Sequence, residues 1–324
     1  MEIQQVINAM LAMQRHSWEQ GVCAQALYEA DRRDLWIPMA YDAVKRMGND
    51  GRLALLGSGN AVSDPASNGE VCLRAYEETD DPVFKEGAER MLEYLLKKAP
   101  RTSDGLICHN TVSHHEGFSP YQIWIDGLYM VPPFLAAMGC LDEAAEQVRG
   151  YHKYLYDTRA HLFNHIYDAE QGVYVRKVHW ATGNGWALMG LTRLADLAAR
   201  KGRDDLWLEF VNMLTDILMS MMEYRLPDGR FPDILDDPKS FADGTSAMMA
   251  ASAVYRGHVN GYLDFGLEFA DKAFETVSSK IDEYGLLREV CGCPDFVREG
   301  TSAEAQAAYI IAWVWKTERS YLDK

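Results

Sequence analysis

Glycines preceded by a polar residue return at a near-constant interval along this chain: Asp50-Gly51, Asp104-Gly105, Gln171-Gly172, Asp228-Gly229 and Tyr284-Gly285, spaced by 54, 67, 57 and 56 residues. A period of that length is the mark of stacked supersecondary units, none of which can bury its apolar face alone. After each turn comes an irregular stretch, then an apolar segment, a short break and a more amphipathic segment, which is the pattern of a helical hairpin. The last two copies share letters as well: Asp243-Gly244-Thr245-Ser246-Ala247 answers Glu299-Gly300-Thr301-Ser302-Ala303.

The apolar members run roughly 16–30, 68–78, 121–138, 184–198, 245–256 and 301–316, rich in Ala, Gly, Leu, Met and aromatics on every side. A helix apolar all round is buried. Their partners, about 2–13, 34–48, 82–98, 141–156, 204–223 and 261–279, carry charge beside core positions, such as Lys85, Glu86, Glu89 and Arg90. Six near-equal hairpins without a polar capping repeat favour a closed double ring over an open solenoid. The expected fold is therefore all-α, an (α/α)6 barrel of six inner and six outer helices forming one domain over residues 1–324.

Composition narrows the function classes. Lys and Arg total 32 against 48 Asp and Glu, a net charge of −16 spread along the chain, which argues against a nucleic-acid or anionic-membrane surface. The start, Met1-Glu2-Ile3-Gln4-Gln5, lacks the basic region and apolar run of a leader, and no stretch has the length of a membrane span; a cytoplasmic location is expected. The six cysteines are scattered and lack the paired spacing of a metal site, so they read as small buried hydrophobes, and no metal is expected. A Walker loop and a Gly-x-Gly-x-x-Gly after a strand are both missing, which disfavours phosphate and nicotinamide chemistry.

If the ring closes, the irregular stretches ahead of the inner helices meet around one pocket. They hold the unusual residues: His16-Ser17-Trp18-Glu19-Gln20, Ser63-Asp64-Pro65, His109 to Asp126, and Val178-His179-Trp180 to Trp186. Asp126 stands out, a single carboxylate inside the aromatic run Tyr121-Gln122-Ile123-Trp124-Ile125-Asp126-Gly127-Leu128-Tyr129. A carboxylate withdrawn from water must be paired, hydrogen-bonded or protonated, so Asp126 is either a helix cap or an acid catalyst. Aromatics beside carboxylates and amides suit a sugar, whose rings stack on indoles while its hydroxyls take polar partners.

Four segments, in order, resemble the unsaturated rhamnogalacturonyl hydrolases, glycoside hydrolase family 105, relatives of the family 88 unsaturated glucuronyl hydrolases. They are Leu73-Arg74-Ala75-Tyr76-Glu77-Glu78-Thr79 with Pro100 to His109, Pro120 to Met130, Trp180 to Trp186, and Leu235-Asp236-Asp237-Pro238. The resemblance implies the same (α/α)6 barrel and a particular reaction. A small unsaturated oligosaccharide left by a polysaccharide lyase loses its terminal 4,5-unsaturated uronic acid through hydration of the C4=C5 enol ether, with no cofactor.

The resemblance assigns the acid/base role to Asp126 and a supporting role to Asp64, and implies contacts to the sugar from His165, His109 and Gln122. Trp18, Trp124, Trp180 and Trp186 either stack on the sugar or pack in the core, and Glu19 either faces the pocket or complements a helix dipole. Two departures stand out. Thr182 occupies a position where the family commonly has arginine, leaving Arg176, Lys177 or His115 as candidates for the lost charge. The insertion Val112-Ser113-His114-His115-Glu116-Gly117 adds two histidines near the rim. The competing functions are a sugar epimerase or isomerase using His109, His165 or His179 on the same barrel, and a non-catalytic carbohydrate-binding protein. Oligomeric state has no signal in the sequence.

Overall fold

Helices alternate between an outer and an inner layer along the whole chain. In order, outer then inner, they are α1 (Ile3–Met13) and α2 (Ser17–Glu29), α3 (Arg33–Lys45) and α4 (Ser67–Thr79), and α5 (Pro82–Lys97) with the paired short helices α6 (Gly127–Met130) and α7 (Pro132–Ala137). Then follow α8 (Leu141–Leu155) and α9 (Ala181–Arg200), α10 (Asp204–Glu223) and α11 (Gly244–Val259), and α12 (Leu267–Ser278) and α13 (Ala303–Tyr321). The computed structural model describes residues 3–57 and 59–322. None of its helices is long and apolar enough to cross a membrane.

Layering follows from the side chains. In α9 every residue from Ala181 to Ala198 is buried, and in α11 every residue from Gly244 to Gly257. Helix α8, by contrast, buries Leu141, Ala144, Ala145, Val148, Tyr151 and Leu155 along one stripe and leaves its charges outside. The inner helices pack neighbour to neighbour, α2 on α4, α4 on α7, α7 on α9, α9 on α11 and α11 on α13. Contact of α13 with α2 closes the ring, as the expected barrel requires. The seam is polar in part: the Gln306 side-chain amide donates to the Val6 carbonyl at 3.0 Å.

All five periodic glycines have positive φ, from +71° at Gly172 to +106° at Gly51. The turns are also built alike. In Asp50-Gly51-Arg52 and Asp228-Gly229-Arg230 the arginine donates its backbone N–H to one aspartate oxygen and its Nε–H to the other. The repeat is thus a repeated turn chemistry as well as a spacing.

The third inner helix departs from the expected 121–138 span. Its first residues form strand β1 (Gln122–Trp124), and the helix is split at Val131 ahead of Pro132-Pro133. Proline offers no N–H to the preceding turn and crowds the residue before it, so a continuous helix cannot pass there. The connection between α8 and α9 adds β2 (Tyr156–Asp157) paired with β3 (Leu162–Phe163), then β4 (Ile166–Asp168) and β5 (Val173–Arg176). Strand β4 pairs antiparallel with both β1 and β5, giving a small three-stranded sheet over the rim. The last outer helix starts at Leu267 rather than near 261, because Gly261 and Gly266 adopt positive φ and hold the chain in a loop.

Replacing Gly229 by alanine tests the turn chemistry. Its φ is +88°, and a Cβ there would stand 2.7 Å from the Ala273 amide nitrogen on α12. The substitution is expected to cost roughly 1–3 kcal/mol, read as a lower urea midpoint at unchanged slope.

Candidate active site

Backbone pairing brings the site together before any side chain is considered. The His109 N–H donates to the Gln122 carbonyl at 2.9 Å, and the His109 carbonyl accepts from Val62 at 3.0 Å. One residue past the Trp124–Ile166 pair, the Ile125 N–H donates to the His165 carbonyl at 3.1 Å. Four segments from three hairpins are thereby stitched edge to edge: the loop before α4, the loop carrying His109, β1 and β4. Asp168 anchors the far end of this sheet, accepting from the Ser119 N–H and hydroxyl and from the N–H groups of Glu170 and Gln171.

The stitched edge opens into a cavity of about 660 Å³ at the rim. Asp64, His109, Trp124, Asp126, His165, Trp180, Trp186 and Trp18 all face it, so eight of the ten residues singled out in the sequence converge. The other two stand behind the wall. Glu19 closes a capping box, its carboxylate accepting the backbone N–H groups of Arg15 and His16. Gln122 accepts from the Trp124 indole at 3.1 Å, donates to the Ser113 hydroxyl at 2.8 Å and bonds the His115 ring at 3.1 Å, and so orients the rings that do face inward.

Asp126 sits at the start of α6, its side chain 18% exposed through the cavity mouth. Its Oδ2 lies 3.4 Å from His165 Nε2, and neither atom has another partner. On the other side of His165, the Arg176 guanidinium approaches Nδ1 at 3.0 Å. A guanidinium only donates, so Nδ1 must accept and the ring proton resides on Nε2, directed at Asp126. Burial alone would raise the proton affinity of Asp126, but the His165 N–H and the nearby imidazoles outweigh it and hold its pKa below the ordinary value.

Asp64, on the short 3₁₀ turn Asp64–Ala66, has the opposite balance. Burial first, and the charge of Asp126 second, push its pKa up to about 7. Its Oδ1 is 3.7 Å from His109 Nε2, while His109 Nδ1 bonds the Ser63 hydroxyl at 2.6 Å. Burial lowers the His109 pKa to about 4, so this imidazole is neutral and cannot offer Asp64 a charge. The two carboxyls thus differ in proton affinity, Asp64 above its ordinary value and Asp126 below.

Rings line the approach. Trp124 stacks on His109 at 4.5 Å, Trp180 lies 4.6 Å from His165, and Trp18 stacks on His16 at 4.3 Å. Thr182 donates its hydroxyl to Asp243 at 2.9 Å inside the wall. Of the three candidates for the missing charge, Arg176 and His115 reach the cavity, whereas Lys177 lies over the Tyr174 ring and does not. The inserted His114 and His115 both line the cavity. His179 bonds Asp236 at 2.9 Å and stays outside. Sequence reasoning missed Glu304, which also lines the cavity; the signal was a lone carboxylate in the apolar run from Ala303 to Ala312, the same one that singled out Asp126.

A family model, Glycosyl Hydrolase Family 88, matches residues 2–300. The chain is 27% identical over 283 residues to the unsaturated rhamnogalacturonyl hydrolase YesR of Bacillus subtilis (strain 168), covering 84% of this chain and 78% of that one. Among solved structures it resembles a possible member of glycoside hydrolase family 105 from Salmonella enterica serovar Paratyphi A, at TM-score 0.83 and 18% identity, covering 98% of this chain and 93% of that one. A possible member of the same family from Klebsiella pneumoniae is similar at TM-score 0.81 and 19% identity, over 98% and 92% of the two chains.

The Arg176–His165–Asp126 line makes a spectroscopic prediction. Nitrogen-15 NMR of the imidazoles should show His165 as a fixed Nε2–H tautomer, and Arg176→Ala should release it to a tautomer mixture. A fixed Nδ1–H form in the wild type would refute the arrangement.

Proposed function

The chain belongs to glycosyl hydrolase family 88, and from that premise we propose that it removes the 4,5-unsaturated uronic acid from the non-reducing end of short oligosaccharides produced by polysaccharide lyases. Residues 1–324 act as one catalytic domain in this reading. The observation that carries it is the pair of carboxyls, buried Asp64 and partly buried Asp126, sharing a ring-lined cavity whose volume suits a disaccharide. The free cysteines support a reducing compartment, the cytoplasm.

The substrate is an enol ether, with C4=C5 conjugated to the ring oxygen. A proton delivered to C4 leaves an oxocarbenium ion at C5, and water adds there to give a hemiketal. Breaking the C5–ring oxygen bond then yields a C5 ketone and a hemiacetal at C1, which expels the neighbouring sugar. One water is consumed, and the proton taken from the enzyme is returned by that water.

Asp126 exchanges protons with the substrate and the water, and Asp64 is the reservoir. In the empty cavity the proton of the pair rests on Asp64, since burial favours its neutral form while His165 favours the charge on Asp126. A uronate carboxylate entering beside Asp126 adds negative charge and draws the proton toward it. Arg176 takes that carboxylate: it is the one lysine or arginine among the described residues lining the cavity, and its guanidinium also lies over the Trp180 ring at 5.7 Å. The indoles of Trp124 and Trp180 stack on the sugar rings, and His109 meets a hydroxyl. An isomerase working through His179 is disfavoured by that residue's engagement with Asp236 outside the cavity.

The test is absorbance of the enol-ether band during incubation with lyase-generated unsaturated disaccharides. The band should fade with wild type, and Asp126→Asn should lower kcat/KM by about 100-fold or more. The pair holds its proton below about 7 and loses it above, so kcat/KM should fall as pH rises through that value. Asp64→Asn removes the titrating group, and its residual activity should lack this limb. A band that persists with every substrate would end the proposal.

A further inference from the structure

Glu304 has no role in the steps above, yet it faces the same cavity. It lies in the first turn of α13, is 2% exposed, and its Oε2 has no hydrogen-bond partner. The charged groups that act on it most are acidic: Glu19 from α2, Asp126 from the start of α6, and Asp243 from the start of α11. Nor is Glu19 available to pair with it, since that carboxylate is committed to the Arg15 and His16 N–H groups and to the Cys293 thiol at 3.5 Å. On the loop that overhangs this wall, Asp295 is met by Arg298 from the exposed side at 3.5 Å.

A buried carboxyl without a cation is costly as an anion, and burial pushes the Glu304 pKa up to about 8 against the pull of a backbone N–H. As a neutral acid it offers one O–H donor and one acceptor oxygen, a pair suited to a sugar hydroxyl. Its place in the ring says which sugar. Helix α13 is the sixth inner helix and touches α11 and α2, whereas Asp126 introduces the third, so the two carboxyls approach the cavity from opposite sides. With the uronate held at Asp126, His165 and Arg176, the unit attached to it extends toward Glu304.

We propose that Glu304 is a substrate-binding residue whose free carboxyl oxygen hydrogen-bonds a hydroxyl of the sugar attached to the unsaturated uronate, and that its cation-free surroundings restrict that sugar to one bearing neither sulfate nor carboxylate. The assignment rests on the reaction proposed above. A sulfate placed there would be a second buried anion, and the one arginine or lysine among the described residues lining the cavity, Arg176, is already taken by the uronate.

The experiment compares disaccharides that share the unsaturated uronate and differ in whether the adjoining sugar is sulfated, using wild type, Glu304→Ala and Glu304→Gln. Wild type should favour the unsulfated substrate by about tenfold or more in kcat/KM, and Ala should raise KM about tenfold while moving kcat little. Gln keeps a donor and an acceptor and should recover most of that loss. Equal turnover of the sulfated substrate, or an unchanged KM in Glu304→Ala, overturns the proposal. A separate readout is the infrared band of a protonated carboxyl, present at neutral pH in wild type and missing in Glu304→Gln, which should shift when an unsulfated disaccharide is added. Complete absence of turnover would refute the reaction rather than this assignment, and the band would then decide alone: no shift means no contact.

Discussion

How closely the inner helices approach one another sets the bore of the barrel, and with it everything at the rim. Small residues determine that approach. A Cβ on Gly21 of α2 would stand 2.7 Å from the Ser67 backbone on α4, and one on Gly190 of α9 would stand 2.7 Å from the Leu128 carbonyl on α6. Larger side chains at either place would push helices apart and widen the ring, because packed interiors have no slack to absorb a methyl group. The close contacts lie below the cavity, so the loops above them converge on a space of fixed width. Backbone bonds among those loops, His109 to Gln122 and Ile125 to His165, then set the positions of the acid groups.

Buried carboxylates are treated in opposite ways inside and outside the cavity. Away from its lining, Arg193 meets Glu29 at 2.6 Å and Glu70 at 2.5 Å, and Arg256 meets Asp196 at 2.6 Å. These charges are paired, and the arginines keep the Glu70 pKa low despite burial. At the rim, Asp64 and Glu304 have no arginine and hold their protons to about 7 and about 8. A paired buried carboxylate stabilises or specifies a fold, whereas an unpaired one is a stability cost that persists where chemistry or binding uses it. On the proposed reading, the contrast sets the acids that hold the fold apart from Asp64 and Glu304, which serve the cavity.

Much of this architecture was legible in the residues. The glycine period marked the hairpins because a positive φ is a backbone demand that few residues meet, and each of the five glycines does have one. All-round apolarity marked the inner helices, since burial on every side leaves no place for charge. The direction of a polar side chain near the rim was not legible. Glu19 and Gln122 lie within a residue or two of wall-lining neighbours, Trp18 and Trp124, yet point into capping and ring-orienting bonds. Which way such a group turns depends on partners from other hairpins, and only the closed ring brings those together. The strand at 122–124 was hidden for the same reason: its apolar residues read as helix until β4, more than forty residues later, offers an edge to pair with.

Thr182 stands where the resemblance leads us to expect an arginine, and the positive charge of the pocket is carried by a hairpin instead of a helix. At the head of α9 the threonine hydroxyl joins the N–H groups of Thr245, Ser246 and Cys291 on the Asp243 carboxylate, a fully satisfied junction between three hairpins. A guanidinium in that position would meet the Asp243 carboxylate and compete with the three backbone N–H groups already bound to it. Arg176 reaches the cavity instead from the last residue of β5, and its placement depends on the β4–β5 pairing. The same side chain bonds His165, so the group that would bind the substrate's carboxylate also orients the histidine that faces Asp126. Substrate binding and the charge state of the acid are thereby coupled through one guanidinium. On the proposed mechanism, a carboxylate that draws Arg176 toward itself weakens the hold on Nδ1, and with it the N–H that keeps Asp126 ionised, so arrival of the substrate favours protonation of the residue proposed to deliver the proton.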